Sequence, residues 1–95
     1  MNAGNVTRAI RYVIAGRVQG VYYRAATAAR AQHLQLRGSV RNLADGRVEV
    51  IAAGSDVALR ELATWLWHGS PAARVDGVHI EEWLEFVNEG FVVTA

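Results

Sequence analysis

A hairpin near mid-chain constrains this 95-residue sequence more than any other feature. Leu43-Ala44-Asp45-Gly46 separates two valine-bearing runs, residues 36–42 and 47–53. Asp-Gly between such runs signals a tight turn, because both residues tolerate positive φ. In the second run Val48, Val50 and Ala52 alternate with Arg47, Glu49 and Ile51, which predicts one buried face. Residues 22–33 are alanine-rich and free of Gly and Pro, so propensity predicts a helix there. Tyr23, Thr27, Ala31 and Leu34 make its buried stripe, with Arg30 falling beside it. Ser55 is a favourable N-cap for a second helix, with Asp56 in its first turn. Leu59, Leu62, Ala63 and Leu66 stand at i, i+3, i+4 and i+7, and Gly69 then Pro71 stop the helix. Residues 9–15 read as a first strand, 78–86 as the last long strand and 91–93 as a short edge piece.

The order is therefore strand, helix, strand, strand, helix, strand. Two right-handed crossovers interleaved this way predict an α+β, ferredoxin-like βαββαβ sandwich, an antiparallel sheet with both helices on one face. Strands one and two run parallel because a helix joins them, so both end at the edge where helix one begins. The glycine-bearing loop 16–22, Arg24 at the helix start and Asn42 at the end of strand two should meet there.

Composition narrows the chemistry. Hydrophobic residues make up 52% of the chain, enough to fill one core, so folding requires neither disulfide nor metal. The expected division is a flexible segment 1–7 and a single domain 8–95. Ten Arg against nine acidic residues give a net charge of +1, which argues against a dedicated nucleic-acid binder. Lysine is absent, which excludes Schiff-base and P-loop lysine chemistry. Cysteine is absent too, which excludes thiol nucleophiles and thiolate metal sites. Residues 1–7 lack an apolar signal region, and no apolar run approaches the roughly 18 residues of a membrane span. The expectation is a soluble cytoplasmic protein without membrane contact.

The loop Gly16-Arg17-Val18-Gln19-Gly20-Val21-Tyr22 leads from a strand into a helix N-terminus. Free N–H groups and the helix dipole make such a place receptive to a tetrahedral oxyanion. Arg24 lies in the first helical turn, an unfavourable position for a cation unless an anion sits beside it. By themselves these features fit an ordinary glycine turn with a solvated arginine better, since short Gly loops before helices are common.

Three segments taken together resemble the acylphosphatase family. Gly16-Arg17-Val18-Gln19-Gly20-Val21-Tyr22-Tyr23-Arg24 is similar to its first signature: Gly, any residue, Val-Gln-Gly-Val, two residues, Arg. Gly38-Ser39-Val40-Arg41-Asn42 followed by Asp45-Gly46-Arg47-Val48-Glu49 is similar to its second. Trp65-Leu66 leading to Gly69-Ser70-Pro71-Ala72-Ala73-Arg74-Val75 is a looser third match. The resemblance implies the same ferredoxin-like fold and a metal-independent hydrolase that releases inorganic phosphate from acyl phosphates. It implies Arg24 as the phosphate-binding arginine and Asn42 as the residue that orients the attacking water. It also implies an amide cradle contributed by Arg17, Val18, Gln19, Gly20, Val21 and Tyr22. The expected partners are a small acyl phosphate and inorganic phosphate, the latter as product and inhibitor, acting on a monomer with no cofactor. A carboxylate leaving group is weakly basic, so no general acid need protonate it. By itself, Asn42 is equally a strand-end residue making a turn hydrogen bond.

Three positions depart from the family pattern. Ser39 stands where many members carry Trp, which would loosen packing beside Asn42. Gln35 replaces a common glycine after helix one, where a left-handed cap costs about 1 kcal/mol or more. Consecutive Glu81-Glu82 interrupts alternation and suggests a bulge near Trp83. His33, His68 and His79 lack metal-ligand spacing and read as surface residues. Trp65, Trp67 and Trp83 read as core and rim packing, and Arg74 as a loop residue returned to the active edge. The main rival is a binding module on the same fold. An RNA-recognition domain needs exposed aromatics on its central strands, whereas the third strand has none and the first only Tyr12. A phosphate-sensing domain is the closer rival, and Asn42 tilts the balance because a pure anion binder needs no water-orienting amide.

Overall fold

Alternation along the central strands decides where the helices sit. The computed structural model describes residues 7–94, in the order β1 (Thr7–Arg17), α1 (Tyr23–His33), β2 (Arg37–Asn42), β3 (Val48–Ser55), α2 (Asp56–Leu66), β4 (Arg74–Glu82) and β5 (Phe91–Thr94). Ile10, Tyr12 and Ile14 on β1 and Val48, Val50 and Ala52 on β3 point to one face and are buried. Against them pack Tyr23, Ala28 and Ala31 of α1 and Ala58, Leu59, Leu62 and Leu66 of α2, forming one core. Buried phenols lock both helices to this layer. Tyr12 donates to the Leu59 carbonyl at 3.2 Å, and Tyr23 donates to the Leu66 carbonyl at 2.6 Å. Burial pushes Tyr12 up to about 12 and Tyr23 higher still, so both remain donors at neutral pH.

The sheet order is β4-β1-β3-β2-β5. β1 and β2 each pair antiparallel with β3, so they run the same way and end together, as the crossover argument requires. The chain has the expected α+β, ferredoxin-like arrangement with a mixed sheet, because β5 pairs with β2 in parallel, Gly38 opposite Phe91. Of the segment 1–7, residues 1–6 lie outside the described residues, and Thr7 opens β1.

Several expectations are corrected. The last long strand is 74–82, not 78–86. Its pairing with β1 runs out where Ile10 meets Glu82, and residues 83–90 then carry the chain to the opposite edge of the sheet. The register irregularity falls between Ala15 and Gly16, not near Trp83. In the exposed second half of this edge strand, Glu81 and Glu82 simply continue the pairing: Glu81 sits opposite Arg11 and Glu82 opposite Ile10. A side chain at Gly16 would collide with the Arg74 carbonyl, which explains the glycine at this bulge.

β3 was expected to bury one face and buries two, since Glu49 and Ile51 are also inaccessible. β3 is the central strand, and the face away from the helices is closed by charge pairs. Glu49, only 7% exposed, accepts from Arg11 at 2.6 Å and from Arg41 at 2.7 Å. Arg11 continues to Glu81 at 2.9 Å. Burial alone would raise the Glu49 carboxyl, but the two arginine hydrogen bonds hold it below its ordinary range.

Candidate active site

At the end of the sheet where β1 and β2 finish, the loop after β1 leaves several main-chain donors unused among the described residues. Arg17 closes β1, so the loop proper is residues 18–22. Val18 is buried in the core and anchors the loop from below. Ser70, buried at the end of the α2 connection, donates to the Val21 carbonyl at 2.6 Å. The Gln19 amide nitrogen donates to two hairpin carbonyls, Leu43 at 2.8 Å and Arg47 at 2.9 Å. Gln19 thus ties the loop to the turn that follows Asn42.

Held in this way, the loop adopts two left-handed residues, Gly20 at φ 73° and Tyr22 at φ 63°. Left-handed residues interleaved in a short loop turn successive N–H groups toward one side, the geometry of an anion nest. Among the described residues, no hydrogen bond within the protein claims the main-chain N–H of Gln19, Gly20, Val21 or Tyr22. Helix α1 follows directly. Tyr22 is its N-cap and gives no side-chain cap, and the first turn holds no acidic residue. The N-terminal donors of α1 are therefore open, beside Arg24 in the same turn.

Arg24 donates to the Thr94 carbonyl of β5 at 2.7 Å. Thr94 sits opposite Arg41, the residue before Asn42, in the β2–β5 register. The edge strand thereby carries the guanidinium toward the end of β2. Asn42 faces Val48 across β2–β3, and its Oδ1 is buried without a hydrogen-bond partner. A buried acceptor without a donor is costly, and such an atom calls for a ligand or water. The hairpin itself is closed by the Leu43 N–H on the Arg47 carbonyl at 2.8 Å. An Asp45 side-chain oxygen accepts from the Arg47 N–H at 3.1 Å, which lowers the carboxyl below its ordinary range. Neither bond uses the Asn42 side chain, so the turn forms without it.

A hollow of about 190 Å³ opens between the loop and β5, lined by Val18, Gly20, Tyr22, Tyr23, Arg24, Ala25 and Val93. Of the sequence-predicted residues, the fold brings the loop, Arg24 and Asn42 to one end. Arg74 reaches the same end as the first residue of β4, opposite Arg17, and pairs with Asp76 rather than lying in a loop. His33, His68 and His79 stay apart, and among the described residues no three His, Asp or Glu gather as a metal site. Trp65 packs on Tyr23 with ring centroids 6.0 Å apart, while Trp67 is half exposed.

The Gln19 side chain, Ser70 and the Thr94 carbonyl were not foreseen. Gln19 and Ser70 lie inside the matched segments, yet nothing in their identity says that they pin a loop. A main-chain carbonyl such as that of Thr94 leaves no trace in sequence at all.

The chain is similar in sequence and in fold to known acylphosphatases. A family model described as acylphosphatase matches residues 10–93. An acylphosphatase of Xanthomonas campestris pv. campestris (strain 8004) is 58% identical over 71 residues, covering 75% of this chain and 81% of that protein. The solved structure of an acylphosphatase from Coxiella burnetii superposes with a TM-score of 0.88 at 38% identity, covering 93% of each chain. That of the acylphosphatase from Bacillus subtilis gives 0.87 at 31% identity, covering 95% of this chain and 100% of the other. An amide loop and arginine at one sheet end, with matches running nearly the length of the described chain, show that this protein belongs to the acylphosphatase family.

Proposed function

We propose that this chain hydrolyses acyl phosphates to a carboxylate and inorganic phosphate, using the loop amides, Arg24 and Asn42. One observation carries the reading: unmatched donors and an unmatched acceptor share one end of the sheet. Among the described residues, the N–H groups of residues 19–22 meet no acceptor and Asn42 Oδ1 meets no donor. A phosphoryl group supplies the acceptors, and a water beside it supplies the donor once the Asn42 side chain turns to expose Oδ1.

Phosphoryl transfer asks chiefly for positioning and charge stabilisation. Arg17, paired with Arg74 as the last residue of β1, anchors the loop. The open amides of residues 19–22 and the Arg24 fork hold the nonbridging phosphate oxygens. To do so the guanidinium keeps or exchanges its bond to the Thr94 carbonyl. Asn42 accepts a hydrogen bond from the water through Oδ1 and so aims its lone pair at phosphorus. The water oxygen bonds to phosphorus as the bond to the acyl oxygen breaks. That electron pair leaves on the carboxylate, and both water hydrogens remain on the phosphate product. The developing charge is met by fixed donors, so the step runs on residues of this chain alone. Each part of the site comes from a single copy of the chain, which supports a monomer as the working unit.

Phosphate release from benzoyl phosphate, with inorganic phosphate as a competing ligand, tests the proposal. Hydrolysis should be inhibited competitively by phosphate and persist in the presence of a chelator. Phosphate binding without turnover would mark a sensing module instead, and activity restored only by magnesium would overturn the metal-independent step.

A further inference from the structure

Tyr22 combines two costs that its fold does not repay. It holds a left-handed φ of 63°, a conformation that crowds any residue with a Cβ. The residue is 84% exposed, whereas the neighbouring Tyr23 is 1% exposed and hydrogen-bonded. The backbone conformation follows from the amide nest, but Gly or Asn would adopt it with less strain. The ring therefore serves something other than the loop's shape.

Its surroundings indicate what. Tyr22 lines the hollow beside Arg24 together with Ala25 and Val93, and Val93 is itself 47% exposed. Asn42 is not part of that lining. In-line transfer sends the leaving group away from the attacking water, hence away from Asn42 and out along this wall. Resting on the function proposed above, we infer that the Tyr22 ring is the platform for the acyl group. It selects acyl phosphates whose acyl part is flat and apolar over those with a small polar one. Aromatic faces favour offset stacking on such groups, with a contribution beyond simple area burial. The interaction forms in the bound substrate as well as in the transition state, so it acts through KM more than kcat.

The test compares benzoyl phosphate with acetyl phosphate in the parent chain, Tyr22→Phe and Tyr22→Asn. Any disturbance of the amide nest affects both substrates, so the informative quantity is the ratio of their kcat/KM values. Tyr22→Asn, which tolerates the left-handed backbone, should lower the benzoyl-to-acetyl ratio by about three- to tenfold, mainly through the benzoyl KM. Tyr22→Phe should keep the parent ratio, because the ring rather than the hydroxyl makes the contact. A ratio unchanged in Tyr22→Asn overturns the inference and leaves the hydrolytic reading intact. A ratio that also collapses in Tyr22→Phe overturns stacking in favour of the hydroxyl. A parent chain that hydrolyses neither compound removes the proposed function itself, and this inference with it.

Discussion

The two helices are each 11 residues long and start at opposite ends of one sheet under opposite chemical conditions. Helix α2 begins in the expected way: the Ser55 hydroxyl accepts from the Ala58 N–H at 3.2 Å, and Asp56 stands in the first turn. Helix α1 begins with a left-handed tyrosine that caps nothing, has no acid in its first turn, and places Arg24 there instead. The first start is complete within the protein. The second is left open, and the open donors lie at the end of the sheet where Asn42 is also short of a partner. The difference teaches that a helix terminus can serve stability or ligand binding, and that missing capping chemistry marks the second use.

Removing the cation from the open start is the most severe way to break this contrast. Arg24→Ala should lower kcat/KM for benzoyl phosphate by about 10³–10⁵, comparable to other arginines in phosphoryl transfer. Arg24→Lys should recover little, since an ammonium lacks the planar fork. Folded variants retaining activity within a few-fold of the parent would refute the role assigned to Arg24.

Next in size is the acceptor across from that helix start. Asn42→Ala should cost on the order of 10²–10³ in kcat while phosphate still binds, because the amides and Arg24 are untouched. Circular dichroism checks the fold, and calorimetric titration with phosphate separates the two effects. Loss of phosphate affinity in proportion to activity would make Asn42 a binding residue.

Glu49 provides a charged group that is completed within the protein, as α2 is. Glu49→Gln removes the charge and leaves one acceptor oxygen where Arg11 and Arg41 each use one, and should destabilise the fold by about 1–3 kcal/mol, measured by urea denaturation. The sign with pH follows from the lowered carboxyl. Its contribution is fully present above the ordinary value of 4.5 and is lost as pH falls through the lower folded value. The variant should therefore show a flatter loss of stability below about pH 4.5 than the parent. Parallel acid limbs in the two proteins would show that the pair contributes nothing.

The smallest effects sharpen the comparison between helix termini. Ser55→Ala should cost about 1 kcal/mol of stability and leave kcat alone, since the closed helix start is remote from the site. At the far end of α1, Gln35 holds φ 60° while the Leu36 N–H reaches the Ala31 carbonyl at 2.9 Å. This is a glycine-type cap carried by a residue with a Cβ. Gln35→Gly should raise the melting temperature, by about 0.5–1 kcal/mol of stability. A lower melting temperature would show that the glutamine side chain contributes more than its backbone strain costs.

Local chemistry by itself determined the helices, the hairpin and the identity of the open loop. Those signals act over a few residues: Ser55 caps its own helix, Asp45-Gly46 makes its own turn, and two glycines allow the loop its backbone. The parallel relation of β1 and β2 was legible as well, because chain connectivity and handedness impose it. Tertiary pairing decided the rest. The last long strand lies at 74–82 because register with β1, not its own residue pattern, determines where pairing stops. Glu49 is buried because Arg11 and Arg41 arrive from two other strands, a fact that alternation along β3 cannot contain. Arg24 was recognisable as a candidate, but its orientation depends on a main-chain carbonyl 70 residues away. Carbonyls are present at every position and carry no side-chain signature, so only the folded chain could show which one holds the arginine.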